Sequence, residues 1–405
     1  MIPIQVNSLD LEIICGDFDK ALSGNSRLIF DESVCDFLGS LSESILGDEE
    51  SRQHGDVVAF AYWSRKSNIK RIAGQYEAAE IRKGRGSILH IAPANVPINF
   101  AFSFAFSLLA GNSNVVRLPS RKFPQEDFFF KHYNHVSSKP EYLSIMNTNV
   151  FLRYSKESNV TEVLSKSISG RMIWGGNRTV LDVRSIPSSL FSIDISFVDR
   201  YSICLLDSLT INNLTDYDLQ RLVERFYNDA YLFDQNACSS PRTVFWIGNH
   251  DESESAREKF WPILEKFVDA KYKIEDSSRI KRYLDLCLLA AKNIDKDLKF
   301  QISNGVLSRF QSQKFLPEYM DLPNRFGSFL EVNIVDLESL SSFVTDRFQT
   351  ASYFGLEREA LWKLANNQFL KGIDRFVPVG SALDMGLHWD GYDLPILLSR
   401  VISVK

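Results

Sequence analysis

The sequence is poor in the residues on which metal centres and disulfide scaffolds depend. Its 405 residues include five cysteines and six histidines, and no two cysteines form a CxxC pair. An odd number of widely spaced cysteines argues against a disulfide framework and against a structural zinc site. The HxxH pair of His132 and His135 lacks the glutamate and the i, i+4 spacing of a zinc protease helix. We therefore predict no metal site.

A surplus of positive charge is also missing. Lysine and arginine together number 46, aspartate and glutamate number 51, and the formal net charge is −5. Because a nucleic-acid-binding protein needs a basic surface, we predict that nucleic acid is not a partner. The 44% of hydrophobic and 24% of charged residues are ordinary for a globular chain and exclude a disordered or fibrous one. At about 100–200 residues per domain, the length predicts two or three domains.

Long apolar runs are absent as well. The longest, residues 98–111, is interrupted by Asn99, Ser103 and Ser107 and is shorter than the ~20 residues of a membrane span. The first residues, MIPIQVNSLDLEIICGDFDK, mix acids with apolar residues and lack the basic start and long apolar core of a secretory signal. We predict a soluble, cytoplasmic protein without a membrane span, in a reducing compartment.

Short apolar runs alternate with helical patterns along the chain. GSILHIAP is typical of a strand that ends at a proline, INFAFSFAFSLLAG of a helix closed by Gly111, and NVVRLPS of a second strand. Strand, helix and strand within about thirty residues form a βαβ unit and predict a parallel sheet. The alternation recurs, and a second α/β unit begins near residue 206.

Cys238 differs from the other cysteines in its surroundings. It lies in FDQNACSSPRT, among small and polar residues between a predicted helix and a predicted strand. Cys204 and Cys287 lie in the apolar segments YSICLLD and LDLCLLA, which are typical of packing cysteines, and Cys15 and Cys35 lie in segments with helical spacing that predict core positions. From this context Cys238 is equally consistent with a nucleophile and with a buried turn cysteine.

Three further segments have residues suited to binding or catalysis. In HIAPANVP, Asn95 follows a strand, where its amide can donate to an oxyanion or can simply cap the helix beginning at Pro97. In WGGNRTV, two glycines before a helix let a phosphate approach backbone N–H groups, although an ordinary tight turn has the same residues. In RLPSRK, Arg117 and Arg121 suit a phosphate monoester or form a solvated basic patch. No GxGxxG, Walker or GxSxG motif occurs.

Taken in order, these segments resemble the aldehyde dehydrogenase superfamily. HIAPANVP, LLAGNSNVVRLPSR, MIWGGNRTV, DQNACSSPRTVFW and the C-terminal KGIDRFVPVGSALDMGLHWDGYDL are most similar to its acyl-CoA reductase branch, that of the fatty-acid reductase subunit of bacterial bioluminescence (LuxC type). The resemblance extends over roughly residues 86–400. It implies that Cys238 is the thiolate that attacks an acyl thioester, and that Asn95 and the backbone N–H of Cys238 form the oxyanion hole. Hydride from a nicotinamide would then give the aldehyde.

The chain departs from the superfamily pattern at informative positions. Ser196, in SFVDRYS, stands where aldehyde-oxidising members have the water-activating glutamate of ELGGKS, and this favours an acyl reductase. Ser120 stands where a glutamate suits a free ribose 2′-hydroxyl, and Arg117 and Arg121 flank it, which favours NADPH over NADH. In NRFGSF, Asn324 stands in place of the glutamate that holds the nicotinamide ribose.

The resemblance implies an α/β, aldehyde-dehydrogenase-like fold. We expect a Rossmann-like, parallel-sheet NADPH-binding domain over residues 1–205 with a protruding hairpin near 68–86, a catalytic domain over 206–380, and a tail over 381–405 that returns to the cofactor domain or a subunit interface. The residues expected to bind the cofactor are Pro93, Arg117, Ser120, Arg121, Trp174, Gly175, Gly176 and Asn177.

The expected function is NADPH-dependent reduction of a long-chain fatty-acyl thioester, either acyl-CoA or acyl-protein, to the fatty aldehyde. The alternatives are an oxidative aldehyde dehydrogenase and a non-catalytic acyl-transfer scaffold. The 30 phenylalanines either line an acyl tunnel or form the core. By resemblance we expect an acyl-protein synthetase as partner, and we also expect a homo-oligomer.

Overall fold

A computed structural model describes residues 10–76, 80–93, 95–292, 298–303, 306–322 and 324–404. The chain divides into two compact units. The first unit is built from residues up to Asp199 together with those from Met385 onward, and the second unit is Arg200–Asp384.

The elements of both units follow in chain order. Up to Asp199 the first unit has β1 (Glu12–Gly16), α1 (Phe18–Leu22), α2 (Glu32–Leu46), α3 (Gly55–Trp63), α4 (Lys66–Ala73), β2 (Ile81–Gly84), β3 (Ser87–Ile91), α5 (Asn99–Leu109), β4 (Ser113–Arg117), α6 (Pro124–Ser137), α7 (Leu143–Asn147), β5 (Asn149–Arg153), α8 (Val160–Ser165), β6 (Gly170–Trp174), α9 (Asn177–Arg184) and β7 (Ile193–Phe197). The second unit has β8 (Tyr201–Asp207), α10 (Ser208–Asn212), α11 (Asp216–Tyr231), β9 (Pro241–Ile247), α12 (His250–Lys271), α13 (Asp276–Lys292), β10 (Lys299–Ser303), β11 (Leu307–Ser312), β12 (Ser328–Ile334), β13 (Phe348–Phe354), α14 (Arg358–Ala365) and β14 (Arg375–Pro378). The first unit is completed by β15 (His388–Trp389), β16 (Tyr392–Asp393), α15 (Leu394–Leu397) and β17 (Ser399–Ile402).

The first unit is organised around a six-stranded sheet of order β1-β5-β4-β3-β6-β7. Only β1 is antiparallel to its neighbour in this sheet. The chain proceeds from β3 through β4 to β5 on one side and then crosses to β6 on the other side of β3. Ligands of doubly wound sheets bind at such a reversal, outside the carboxyl ends of the strands. The loops after β3, β4 and β6 are therefore the expected binding edge of this unit.

A buried polar network lies within this sheet, beneath its binding edge. His90, on β3, contacts the hydroxyl of Ser103 at 2.7 Å through Nδ1 and the amide oxygen of Asn114 at 2.9 Å through Nε2. Because Asn114 Oδ1 can only accept, Nε2 carries the proton and Nδ1 accepts from Ser103, which in turn accepts from the Trp174 indole at 2.9 Å. Burial lowers the pKa of His90 to about 4, so the imidazole is neutral.

Aromatic side chains fill the space between the sheet and the helices of the first unit. α5 is buried on every side, and its phenylalanines pack mostly edge to face against those of α3, α6 and β5. The members of this cluster include Phe60, Phe100, Phe102, Phe104, Phe129, Phe130, Tyr133 and Phe151. These phenylalanines form core, which is one of the two roles expected from their number.

The second unit contains a seven-stranded sheet of order β10-β11-β12-β9-β8-β13-β14, in which only β10 is antiparallel. Residues of β8, β9 and β12 form apolar cores on both faces of this sheet. α12 begins with a capping box in which Asn249 and Glu252 satisfy each other's backbone N–H groups. The loop that carries Cys238 leads into β9, at the edge where β8 and β13 also begin.

Three expectations differ from the structure. Strand β8, which we expected at the end of the first domain, pairs with β9 and β13 in the sheet of the second unit. The second unit therefore begins after residue 199, not after residue 205, and it ends at residue 384, not at residue 380. The hairpin near 68–86 falls partly outside the described residues. Its described part is helix α4, which buries Ile69 and Ile72 one turn apart, followed by β2, which pairs with the distant β17. Cys15 lies on a strand and not in a helix.

Among the described residues, no helix is both long and apolar enough to cross a lipid bilayer.

Candidate active site

Cys238 lies half-buried in the turn between α11 and β9. The hydroxyl of Ser202, on β8, donates to the Cys238 carbonyl at 2.7 Å. The side-chain amide of Gln349 donates to the Cys238 sulfur, with 3.4 Å between Nε2 and Sγ. Gln349 lies on β13 where the pairing with β8 shifts register. No local sequence pattern indicates Gln349, because its contact with Cys238 joins residues 111 positions apart in the chain.

A buried glutamine fixes the start of the cysteine loop. The Gln235 side chain is inaccessible to solvent, and its Nε2 donates to the carbonyls of Pro241 at 2.8 Å and Ser328 at 3.0 Å. Its Oε1 accepts from the backbone N–H groups of Gly327 at 3.0 Å and Ser328 at 3.1 Å. Gln235 has a positive φ of 59°, and Asp234 before it has a φ of 53°. The four hydrogen bonds of the Gln235 side-chain amide offset this unfavourable backbone conformation and hold the loop against the start of β12.

A residue with a buried carboxyl group, Asp229, contacts the end of the cysteine loop. Asp229, at the end of α11, accepts from the backbone N–H groups of Gly380 at 2.7 Å and Ala382 at 2.9 Å. Its own carbonyl accepts from the Ser240 hydroxyl at 2.8 Å. Burial raises the pKa of Asp229 to about 7. The cysteine loop and the loop after β14 are thereby joined through one residue, Asp229, by its main-chain carbonyl and its carboxylate.

The other cysteines are placed differently from Cys238. Burial raises the pKa of Cys15 to about 12 and of Cys35 to about 11, and it raises that of the fully buried Cys204 still further. These three thiols stay protonated at neutral pH and are poor nucleophiles. The prediction that Cys287 is a packing cysteine is wrong: it is exposed, on the face of α13 that points away from the core.

Asn95 lies in the loop between β3 and α5 and is exposed. The N-cap residue of α5 is Ile98, whose side chain makes no capping hydrogen bond. Asn95 lies three residues before this position and is therefore not the N-cap residue. Pro93, in the same loop, is half-buried just after β3.

The glycine pair after β6 leads into α9 as the sequence predicted. Gly176 is the N-cap residue of α9. The Asn177 backbone N–H donates to the carboxylate of Asp199 at 3.1 Å, and the Asn177 side chain accepts from the Asp199 N–H at 3.1 Å. A Cβ at Gly176 would lie 3.3 Å from that carboxylate. An aspartate therefore already occupies the first N–H group of this helix.

Trp174 belongs to the core of the first unit. Its ring is stacked on Phe197 with 3.6 Å between centroids, and its indole N–H is used by Ser103. The side chain is 6% exposed. This placement argues against direct cofactor contact by the Trp174 side chain, since the side chain is buried, its N–H is engaged by Ser103 and one ring face is stacked on Phe197.

The RLPSRK segment forms the loop between β4 and α6. Ser120 and Arg121 are exposed, and the Arg121 guanidinium lies 4.8 Å from the Phe123 ring centroid. Arg117 instead donates to the Tyr154 carbonyl at 3.2 Å and lies 4.9 Å from the ring of that tyrosine. Arg121 and Ser120 are accessible to a ligand, whereas Arg117 is directed to the end of β5.

The acids near Ser196 are engaged in other contacts. Ser196 lies on β7, half-buried. Asp194 forms a two-point ion pair with the buried Arg171, with N–O distances of 2.7 and 2.6 Å, and Asp199 binds Asn177. In the second unit, Asn324 is 4% exposed, and its Nδ2 has no hydrogen-bond partner among the described residues. Among the described residues, no group of three or more metal-ligating side chains could hold an ion.

Comparison with solved structures identifies the fold. The chain is similar to a variant of 1-pyrroline-5-carboxylate dehydrogenase from Thermus thermophilus, with TM-score 0.63 and 14% identity over 95% of this chain and 84% of that one. It is also similar to an NAD-dependent benzaldehyde dehydrogenase from Corynebacterium glutamicum, with TM-score 0.62 and 10% identity over 91% of this chain and 84% of that one. At such identities the likeness shows the aldehyde dehydrogenase fold alone.

A family model identifies the branch. A search of curated proteins gave no match. The model described as acyl-CoA reductase (LuxC) matches residues 64–400, which is most of the chain. The match includes the Asn95 loop, the glycine pair before α9 and the Cys238 loop. The chain has the aldehyde dehydrogenase fold and belongs to the acyl-CoA reductase (LuxC) family.

Proposed function

We propose that this protein reduces a long-chain fatty-acyl thioester to the aldehyde with NADPH, through a thioester on Cys238. The family and the fold support an oxidoreductase that acts on acyl or aldehyde groups. The observation that carries the proposal furthest is the setting of Cys238. It is a half-buried thiol in a loop fixed by buried side chains, and its sulfur accepts a hydrogen bond.

In the proposed reaction the Cys238 thiolate attacks the carbonyl carbon of the acyl thioester. A C–S bond forms at Cys238, the C–S bond to the donor breaks, and the donor leaves as its thiolate. The backbone N–H of Cys238 and the Asn95 amide are assigned by resemblance to the oxyanion that develops in between. When bound, the nicotinamide supplies a hydride to the acyl carbon, after which the C–S bond to Cys238 breaks and the aldehyde is released.

The proposed cofactor position is the binding edge of the first unit. Its loops fit a dinucleotide, because they lie at the carboxyl ends of parallel strands where the strand order reverses. Pro93, the backbone of Gly175 and Gly176, and the start of α9 would hold it. Ser120 and Arg121 are exposed beside β4, where a 2′-phosphate would select NADPH.

Two observations favour reduction over oxidation. Oxidation requires a base that activates water against the thioester, and Ser196 stands at the position of that base. The two acids closest to it in sequence, Asp194 and Asp199, are bound to Arg171 and Asn177. A thioester on Cys238 would therefore persist until it is reduced or transferred.

The acyl donor and the partners are also proposals, and membership of the family supports them. Acyl-CoA and an acyl-protein are both thioesters that Cys238 could attack. An acyl-protein synthetase would supply the second, and we further propose a homo-oligomer in the reducing cytoplasm, where free thiols persist. A non-catalytic scaffold is less favoured, because an accessible, hydrogen-bonded thiol is a feature of a reactive site.

Acylation of the protein tests the proposal directly. The wild type, Cys238→Ala and Cys287→Ala are each incubated with palmitoyl-CoA without nicotinamide, and the acylated peptides are identified by mass spectrometry. We expect one acyl group, on Cys238, in the wild type and in Cys287→Ala, and none in Cys238→Ala. Cys287→Ala is the matched control because Cys287 is the exposed thiol.

Addition of NADPH to the acylated wild type should release one equivalent of aldehyde. An acyl group found on Cys287, or on no cysteine, would overturn the mechanism. Release of free fatty acid with NADPH left unoxidised, and no aldehyde formation, would show that the thioester is hydrolysed, as the oxidative alternative requires.

A further inference from the structure

The Gln349 side chain, on β13, contacts the sulfur of Cys238. We propose that Gln349 is a catalytic residue that stabilises the thiolate form of Cys238 by donating an amide hydrogen bond to the sulfur. This assignment rests on the proposed function only in taking Cys238 as the nucleophile. It concerns the ionisation of the free thiol, which can be measured without any substrate.

The orientation of the Gln349 amide is set by its neighbours. The Thr350 hydroxyl donates to Gln349 Oε1 at 3.2 Å, which leaves the NH₂ end of the amide for the sulfur. The NH₂ end then faces Cys238, with 3.4 Å between Nε2 and Sγ. An NH₂ group can only donate, and a thiolate accepts a hydrogen bond better than a thiol does. The contact therefore favours the charged form of Cys238.

The same pair of residues on β13 holds Cys238 at two points. The Thr350 backbone N–H donates to Ser202 Oγ at 3.3 Å, and Ser202 Oγ donates to the Cys238 carbonyl at 2.7 Å. Gln349 binds the sulfur of the same cysteine. Both residues lie within the register shift between β13 and β8, which displaces them from regular pairing. The irregular strand thus fixes the distance between the amide and the sulfur.

The side chain of Arg375 restrains Thr350. Arg375, on β14, donates to the Thr350 hydroxyl at 3.4 Å and to the Asp384 carbonyl at 2.9 Å. Gln349 itself is inaccessible to solvent. A donor whose position is restrained before the reaction loses little conformational entropy when it binds the thiolate. The amide is therefore organised in advance.

An amide suits a reductase for a chemical reason. It stabilises a thiolate without carrying a charge, and it is not a base at any physiological pH. A carboxylate or an imidazole at the same distance would act as a general base and activate water against the thioester. Gln349 can thus support the nucleophile without promoting hydrolysis of the acyl intermediate. The serine at position 196, in place of the water-activating glutamate, has the same effect.

The test measures the ionisation of Cys238 by alkylation. The rate of reaction with iodoacetamide is followed from pH 5 to 10 on the Cys238 peptide by mass spectrometry, so that Cys287 does not contribute. Gln349→Met keeps the size of the side chain and removes the donor. We expect the midpoint of the alkylation-rate profile to rise by about one to two pH units in this variant. That shift corresponds to the loss of one hydrogen bond to a charged group. Gln349→Glu places an anion beside the sulfur and should raise the midpoint further.

Thr350→Ser is the matched control. It keeps the hydroxyl that binds Gln349 Oε1 and the backbone N–H that binds Ser202, and it removes only a methyl group, so the midpoint should move by less than half a pH unit. Circular dichroism and thermal melting check that each variant is folded. If Gln349→Met does not fold, Gln349→Ala, which also removes the donor without adding a charge, is measured in its place.

An unchanged or lowered midpoint in a folded Gln349→Met or Gln349→Ala would overturn the assignment. Failure of the proposed function would appear separately, as absence of acylation by palmitoyl-CoA in a wild type whose alkylation profile still depends on Gln349.

Discussion

The cysteine loop of the second unit and the binding edge of the first unit differ in the burial of their functional side chains. In the cysteine loop the supporting side chains, Gln235 and Gln349, are inaccessible to solvent, and their amides bond to other protein groups. At the binding edge the candidate ligand groups Asn95, Ser120 and Arg121 are exposed. One region positions a single atom, whereas the other offers several groups to a molecule that arrives from solvent.

This difference teaches where mutations should separate activity from stability. A group that touches only the ligand costs little in the folded protein when it is removed. A buried amide with several partners costs much, because removal leaves buried donors and acceptors unsatisfied. The predictions below test whether the two regions divide along this line.

The largest effect is expected at Asn95. Asn95→Ala should lower kcat roughly 10²–10³-fold, the usual loss for one oxyanion donor. The unfolding free energy should change by less than about 0.5 kcal/mol, because Asn95 is exposed and is not the N-cap residue of α5. Steady-state kinetics and urea unfolding are measured on the same sample, with the exposed Asn134→Ala as control. Full turnover in Asn95→Ala would remove it from the site.

The next effect is expected at Gln235. Gln235→Leu should lower the unfolding free energy by about 3 kcal/mol, because four hydrogen bonds of a buried amide are lost together. Urea unfolding followed by circular dichroism measures the change. The same substitution at the exposed Gln53 should change it by less than about 0.5 kcal/mol. Equal effects at the two positions would contradict the role of Gln235 in fixing the loop.

The His90 network should give the first unit a sensitivity to acid. Folding lowers the pKa of His90 from 6.5 to about 4, so the unfolded chain binds the proton more tightly. The stability contributed by the neutral imidazole is present above pH 6.5 and is lost as the pH falls toward 4, by about 2 kcal/mol between pH 7 and 5. Urea unfolding at both pH values should show this loss.

His90→Gln should be less stable at pH 7 and should lose less on acidification, whereas His250→Gln, at an exposed position, should behave as the wild type. An identical pH dependence in His90→Gln and the wild type would show that other groups cause it.

The smallest effect is expected for cofactor choice. Ser120→Glu combined with Arg121→Ala should lower the NADPH/NADH ratio of kcat/KM by roughly tenfold, because a carboxylate replaces a neutral donor and one guanidinium is lost. Lys122→Ala, next in sequence and also exposed, is the control. A ratio equal to that of the wild type would withdraw the NADPH assignment and leave the nicotinamide proposal intact.

The sequence predicted the elements whose signals are local. GSILHIAP, INFAFSFAFSLLAG and NVVRLPS form β3, α5 and β4 because a parallel sheet buries continuous apolar strands and the helix that covers them. The ordered motifs likewise predicted the family and the fold, which the family model and the solved structures confirm.

The misses concern contacts between distant residues. The pairing of β2 with the C-terminal β17 and the approach of Gln349 to Cys238 join residues far apart in sequence, and no local pattern encodes them. Cys287 shows a different limit. Its apolar neighbours predict burial, but on α13 the cysteine lies on the exposed face, and only the packing of the helix decides which face that is.

The carboxylate of Asp199 has a consequence for any anion at the start of α9. It is tethered to the N–H of Asn177 and acts as an internal competitor at a high effective concentration. A dinucleotide phosphate that uses this N–H must displace it, and part of the binding free energy is spent in doing so. Release of the product would be assisted when the carboxylate returns. The Asp199 carboxylate would thus exclude weakly binding anions from this N–H group.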